Sequence, residues 1–308
     1  MSANPYVFVV GSPRSGTTLL ERVLDAHSEL AFVHETRWIV DFFRKRVGVD
    51  DAGRVTPELA PALRAHRRFG AFGLAERELE ALARSANGER VPYDVFVARL
   101  FDRYGCERGK RLVGDKTPRY ARWIGELHEL FPRARFVHLV RDGRDVYLSA
   151  REWITPRMQA RYPTWRDHPA VTAALWWKRN VALARERGLP LGAKLFRETR
   201  YEALVSEPRR VCAELCEFLG IVYDDRMLAF HERDGRRPIT TGLRDWRAQL
   251  AAHETERFEA AAGDLLEELG YPRAHVRPGR AASEETARVR ELFADRIAER
   301  GLTLPRGW

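Results

Sequence analysis

Apolar residues along the chain gather into short β-type runs separated by longer stretches with helical periodicity. The runs are Tyr6–Val10, Leu30–Val33, Arg135–Val140 and Lys194–Arg200, with a weaker one at Arg111–Val113. Between them, Leu74, Leu79 and Leu82 keep helical spacing, as do Leu175, Trp176, Val181 and Leu183 within Ala170–Arg187. Strands alternating with helices predict an α/β fold whose central parallel sheet carries helices on its faces. Further helices are expected at Pro208–Leu219, Glu254–Leu269 and Ser283–Arg300. In the last, Ser283, Glu284 and Glu285 would fill the first turn, where the helix dipole favours acidic groups. Residues 36–108 carry turns near Gly48–Gly53 and Asn87-Gly88 and read as a helical excursion beside the sheet. No internal repeat or low-complexity tract divides the chain. The expected organisation is one domain over residues 1–308, with Arg273–Ala282 linking to a final helix at about 283–300.

The first run leads directly into candidate chemistry. Tyr6–Val10 is followed by Gly11-Ser12-Pro13-Arg14-Ser15-Gly16-Thr17-Thr18, then by the helical stretch Leu19–Leu24. A strand, a tight glycine loop and a helix N-terminus together aim backbone N–H groups at an anion. The spacing almost matches the Walker A pattern G-x-x-x-x-G-K-[ST], but Thr17 stands where the lysine belongs. That lysine normally reaches the β- and γ-phosphates, so the loop is poorly equipped for nucleoside triphosphate chemistry. Arg14 places the positive charge inside the loop instead.

A second turn of the same kind follows Phe136–Val140, in Arg141-Asp142-Gly143-Arg144-Asp145-Val146-Tyr147-Leu148-Ser149. Arg141 would stand at the carboxyl end of its strand, where open α/β sheets bind ligands, and Ser149 about two turns into the helix. A guanidinium fork and a hydroxyl suit a phosphate; the bland alternative is a solvated helix start. Between these turns, Glu35 in His34-Glu35-Thr36-Arg37 follows the second run, on the same sheet edge as the loop. It reads as a general base or, more plainly, as a charge complementing a helix dipole. His34-Glu35 is no zinc motif, because Trp38 occupies the second ligand's position. Lys116, in Gly114-Asp115-Lys116-Thr117-Pro118, could supply a cation to that edge or be an exposed loop lysine.

Taken together, Gly11–Leu20, Glu35-Thr36-Arg37, Asp115–Pro118, Val140–Ser149 and Arg200-Tyr201-Glu202 resemble the sulfotransferases that use 3′-phosphoadenosine 5′-phosphosulfate. The resemblance is closest to the branch of tyrosylprotein sulfotransferases and related bacterial enzymes. It covers residues 6 to about 270, including Trp246 and Leu266–Tyr271. It implies a P-loop-like sulfotransferase fold in which Arg14, Ser15, Gly16, Thr17 and Thr18 hold the 5′-phosphosulfate. Arg141 and Ser149 would hold the 3′-phosphate, and Tyr201 would contact the nucleotide. Glu35 matches the branch's catalytic glutamate. Arg14 and Lys116 match the cations at the transferred group and leaving phosphate, and Arg37 falls where an acceptor is placed or the glutamate oriented. The product nucleotide would be adenosine 3′,5′-bisphosphate, and fixed cations make a metal unnecessary. In Arg236–Trp246, Asp245 replaces the basic residue common before the tryptophan of the cofactor-covering loop, leaving Arg244 and Arg247 as substitutes.

Composition narrows the alternatives. The 308 residues include 53 Lys and Arg against 44 Asp and Glu, a net charge of +9. Charge alone would allow a non-catalytic nucleic-acid-binding protein, yet no helix-turn-helix, zinc-finger or RNP-type signature is present. A P-loop kinase-like phosphotransferase is the other alternative, weakened by Thr17 and by the lack of an evident Walker B run. No apolar run approaches the ~18–20 residues that span a bilayer, and no signal peptide is apparent. A cytoplasmic enzyme is therefore expected. Cys106, Cys212 and Cys216 form no disulfide framework or metal pair; Cys212 and Cys216 read as core-facing thiols. The acceptor, expected to be a small molecule, a carbohydrate or a lipid-linked group, is not written in the sequence, nor is oligomeric state. Trp153, Tyr162, Trp165, Trp176 and Trp177 are expected to shape its pocket or pack beneath it.

Overall fold

The structure is a computed structural model and describes residues 4–234, 238–239 and 244–308. Five parallel strands form one sheet in the order β2-β3-β1-β4-β5. They are β1 (Val7–Gly11), β2 (Leu30–His34), β3 (Leu112–Lys116), β4 (Arg135–Val140) and β5 (Phe196–Arg200). The chain runs outward from β1 to β2, returns to β3, then crosses to β4 on the other side of β1. Strand order thus reverses around β1, the position at which open α/β sheets bind ligands beyond the strands' carboxyl ends.

β1 is buried along its whole length, which explains why its sequence is a continuous apolar run rather than an alternation. Its side chains still divide by period two. Phe8 and Val10 join one core with Phe136, Trp38 and Phe101. Val7 and Val9 join the opposite core with Leu20, Val137, Leu139 and Leu215. Helix α1 (Thr17–Asp25) follows β1, and α2 (Trp38–Lys45) opens the excursion between β2 and β3, which also contains helices Leu59–Ala65, Glu76–Leu82 and Tyr93–Cys106. Helix α3 (Gly143–Arg151) follows β4. Helix α4 (Pro169–Gly188) packs with α3 and with α5 (Ala252–Glu268) in a separate apolar cluster around Trp177 and Phe258.

Three expectations shift. The weak run at Arg111–Val113 is a full strand that continues through Gly114, Asp115 and Lys116. Its polar end imitates a loop in sequence but is buried by neighbouring groups on the sheet edge. The final helix begins at Arg280, with Gly279 as an extended N-cap, so Glu284 and Glu285 fall beyond its first turn. Ser283 lies inside that helix and its Oγ donates back to Gly279 O at 3.0 Å. Arg280–Ala282 belong to the helix rather than to a linker. Cys212 and Cys216 do face the core, and burial pushes their thiols up to about 12 and about 11.

Gly143 starts α3 under heavy packing. A Cβ there would lie 2.6 Å from the Trp177 ring and 2.7 Å from that of Phe258. Gly143→Ala should therefore lower stability by about 1–3 kcal/mol, the usual cost of overpacking, in a urea titration. An unchanged midpoint would contradict this packing.

Candidate active site

Two β-to-helix junctions meet at the centre of the sheet. Parallel pairing of β1 with β4, with Gly11 opposite Leu139, brings their carboxyl ends side by side. In the first junction Gly16 caps α1 in the left-handed region, at φ +93°. Glycine is needed there twice over, because a Cβ would also lie 2.4 Å from Tyr201 Cδ2. Arg14 takes a left-handed φ of 74° without glycine's freedom, a strain of the kind that gathers at functional sites. Ser15 is fully buried and its Oγ has no hydrogen-bond partner. An orphaned hydroxyl beside the N–H groups of a helix start fits an anion-binding cradle.

In the second junction, Asp142 caps α3 by accepting from Arg144 N at 3.0 Å. The charged residues here are not a solvated helix start. Arg144 is fully buried, forks onto Asp142, binds Glu259 and Pro272 O, and stacks 3.7 Å from the Trp246 ring centre. Arg141 is buried with its guanidinium 4.1 Å from the Tyr201 ring centre, and its Nε lacks a partner. Its nearest carboxylate, Asp145, is 3.8 Å away. The junctions are joined directly: Arg14 Nε donates to Ser149 Oγ at 2.9 Å. Tyr201 touches both, packing on Gly16 with one part of its ring and on Arg141 with the face.

A third group gathers at the ends of β2 and β3. Lys116 is 1% exposed, and its Nζ lies 3.2 Å from Thr18 Oγ1, 3.3 Å from Glu35 Oε1 and 3.4 Å from Glu21 Oε2. The other oxygen of Glu35 accepts from Arg37 and pairs with Arg68 at 3.2 Å. Burial alone would raise the Glu35 carboxyl, but Lys116, Arg37 and Arg68 outweigh it and hold the group below its ordinary range. Glu35 and Arg37 both have left-handed φ angles, 50° and 53°. Their turn is held by Thr36 N donating to the buried Asp115 carboxylate at 3.0 Å and by Glu35 N donating to Lys116 O. On Arg14, burial, Arg244 and Arg141 lower the pKa against the pull of Glu152.

Beside these groups opens a cleft of about 920 Å³. Arg14, Thr18, Glu35 and Arg37 line it together with Trp153, Tyr162, Trp165, Trp176 and Trp177. The structure therefore brings together Arg14, Ser15, Gly16, Thr17 and Thr18 with Glu35, Arg37 and Lys116, and sets Arg141, Ser149 and Tyr201 against the same loop. Arg236 and most of the segment up to residue 243 lie outside the described residues. Of its substitutes, Arg244 forms a two-pronged pair with Glu152, and Arg247 stacks 4.4 Å from Trp246. Asp245 caps a short helix by accepting from Arg247 N. The sequence reading missed Arg68 and Glu21. Arg68 reaches Glu35 only through the fold of the excursion; Glu21, one helical turn after Thr17, carried a usable but weak signal.

The sequence profile of the Sulfotransferase family matches residues 5–225. The chain belongs to the sulfotransferase family. Among relatives, it is 28% identical over 344 aligned positions to nodulation protein NoeE of Sinorhizobium fredii, covering 97% of this chain and 76% of that protein. It is 27% identical to protein-tyrosine sulfotransferase 2 of Gallus gallus, covering 75% of this chain but only 55% of that one. The sulfotransferase domain of the Synechococcus PCC 7002 olefin synthase has a similar structure, with a TM-score of 0.57 and 25% identity over 87% of this chain and 95% of that domain. Family and fold thus agree with the transferase expectation. Among the described residues no cluster of His, Cys, Asp and Glu could hold a metal ion, and no helix is long and apolar enough to cross a membrane.

Asp115 provides a test of the strained turn. Burial raises its carboxyl to about 6, against the Thr36 N–H bond that lowers it. The unfolded value is near 3.9, so the folded state binds this proton more tightly. Stability contributed here is present at low pH and lost as pH rises from about 4 to 6. Asp115→Asn keeps an acceptor for Thr36 N but no longer ionises. Its melting temperature relative to the parent should increase between pH 4.5 and pH 7.5; a constant difference would contradict the assignment.

Proposed function

We propose that this protein, as one sulfotransferase domain over residues 1–308, moves a sulfuryl group from 3′-phosphoadenosine 5′-phosphosulfate to a hydroxyl or amine acceptor. The observation that carries this reading is the direct contact between the two anion cradles through Arg14 and Ser149. A ligand with phosphates at both ends of a nucleoside is the kind of molecule such a pair suits. The donor, when bound, supplies an activated sulfuryl group on its 5′-phosphate; every other requirement falls to the chain.

Arg14, Ser15, Gly16, Thr17 and Thr18 are assigned to the 5′ end. The unpartnered Ser15 Oγ and the first N–H groups of α1 supply donors there. Arg141 and Ser149 are assigned to the 3′-phosphate, with Tyr201 packing between the cradles. Fixed positive charge is what a transfer with charge on the leaving phosphate needs, since little covalent work is left to the protein. Arg14 and Lys116 fill that role, and no metal is called for.

Glu35 is assigned as the general base. The acceptor oxygen or nitrogen forms its bond to sulfur, the bond from sulfur to the phosphate oxygen breaks, and the acceptor's proton passes to Glu35. Cations hold this carboxylate ionised, so it is ready to accept hydrogen bonding from an acceptor across the physiological range. Arg37 and Arg68 fix its orientation from the cleft side, and Lys116 ties it to Thr18 of the loop.

Adenosine 3′,5′-bisphosphate should stabilise the protein in a thermal-shift assay, by about 2.7 kcal/mol at a hundred times its dissociation constant. Protection by ATP with magnesium instead would favour kinase-like chemistry. Glu35→Gln should keep bisphosphate binding while turnover falls ~10²–10⁴-fold, the range for general-base help. Wild-type turnover in that variant would remove Glu35 from the role.

A further inference from the structure

The lining of the cleft beside Glu35 carries more positive than negative charge, even with Arg119 paired to Asp41. Among the described residues its lining carries six arginines, with Glu35 as the sole carboxylate. Arg14 belongs to the loop after β1, which leaves Arg22, Arg37, Arg67, Arg68 and Arg119 in the rest of the lining. Arg37 and Arg68 share Glu35 with Lys116, and Arg119 pairs with Asp41 at 3.0 Å. The guanidinium groups of Arg22 and Arg67 meet no hydrogen-bond or ion-pair partner among the described residues. The side-chain Nε atoms of Arg37, Arg68 and Arg119 are buried and also unpartnered. Like charges gathered in a cleft with low-dielectric walls repel one another and focus a positive potential on whatever enters.

The rest of the lining is different in kind. Trp153, Ile154, Met158, Tyr162 and Trp176 present rings and apolar chains to the same space. Trp153 is 63% exposed at the mouth, with the Arg14 guanidinium 4.9 Å from its ring centre. A large aromatic surface left open to solvent beside a nucleotide loop is a platform for a ring or a short apolar chain. The volume of about 920 Å³ falls in the range of small-molecule sites.

We infer that the acceptor is a small amphipathic organic anion. Its apolar body lies against Trp153 and Trp176, its anionic head meets Arg67, Arg68 and Arg119, and its hydroxyl is brought to Glu35. This inference rests on the sulfotransferase reading above and narrows its acceptor. The acceptor's negative charge would also offset repulsion between the arginines around Glu35, so binding and base orientation would be coupled. The alternative, that these arginines serve the nucleotide, is separable by experiment.

The test uses the full chain saturated with adenosine 3′,5′-bisphosphate, titrated calorimetrically with 6-hydroxy-2-naphthoate and with 2-naphthol. The two probes share a ring system and a hydroxyl and differ in the carboxylate. The naphthoate should bind about tenfold tighter or more, the scale of charge-assisted hydrogen bonding. Arg67→Gln and Arg119→Gln should each erode that preference by about threefold or more while leaving bisphosphate affinity in place. Trp153→Ala should weaken both probes together. Equal affinity, a preference for 2-naphthol, or no binding of either probe would overturn the inference. So would arginine variants that lose bisphosphate binding but keep the naphthoate preference, since the cations would then belong to the nucleotide. The bisphosphate isotherm in the parent protein reports separately on the sulfotransferase reading: its absence would sink that reading whatever the probes do.

Discussion

The parallel pairing of β1 with β4 is the constraint on which the site depends. It sets Gly11 opposite Leu139, so the turns that follow the two strands emerge side by side. Arg14 then reaches Ser149, and Tyr201 at the end of β5 packs on Gly16 and Arg141 together. Neither turn alone would be more than a helix start with spare donors. Their adjacency, with Arg14 of one turn bonded to Ser149 of the other, belongs to the sheet rather than to any one loop.

The energetic character of the site is that of buried charge held by opposing charge. Lys116 is almost wholly enclosed and sits within 3.4 Å of both Glu35 and Glu21. Removing one member of such a group leaves an uncompensated buried charge, which is more costly than the group's net contribution to folding. The strained backbone at Arg14, Glu35 and Arg37 points the same way. Three non-glycine residues in left-handed conformations cluster at one sheet edge, each carrying a charged side chain assigned to the reaction. Asp115 and Tyr120 hold the Glu35–Arg37 turn from beneath through Thr36.

How much of this could be read in the sequence follows from how local each signal is. The strands at Val7–Gly11 and Arg135–Val140 are apolar runs that end at glycine-containing turns, so both the elements and their junctions were legible. The gathering of Glu35, Lys116 and Arg141 at one sheet edge followed from their places at strand ends, whereas their roles and the pairing of Arg141 with Ser149 came from resemblance. β3 was underestimated because Asp115 and Lys116 are polar at a strand end, and their burial depends on Thr36, Thr18, Glu21 and Glu35 closing over them. Arg68 was not legible at all. It sits 33 residues after Glu35, and only the path of the helical excursion returns it to that carboxylate. The early start of the final helix was missed since Gly279 lacks a side-chain cap.

The central claim is that one molecule spans both cradles, and calorimetry with two nucleotides tests it most directly. Adenosine 3′,5′-bisphosphate should bind the parent protein more tightly than adenosine 5′-monophosphate. Arg141→Ala should weaken the bisphosphate strongly and leave the monophosphate nearly unchanged. If the substitution weakens both nucleotides equally, or neither, Arg141 does not hold a 3′-phosphate and the two junctions do not act as one site.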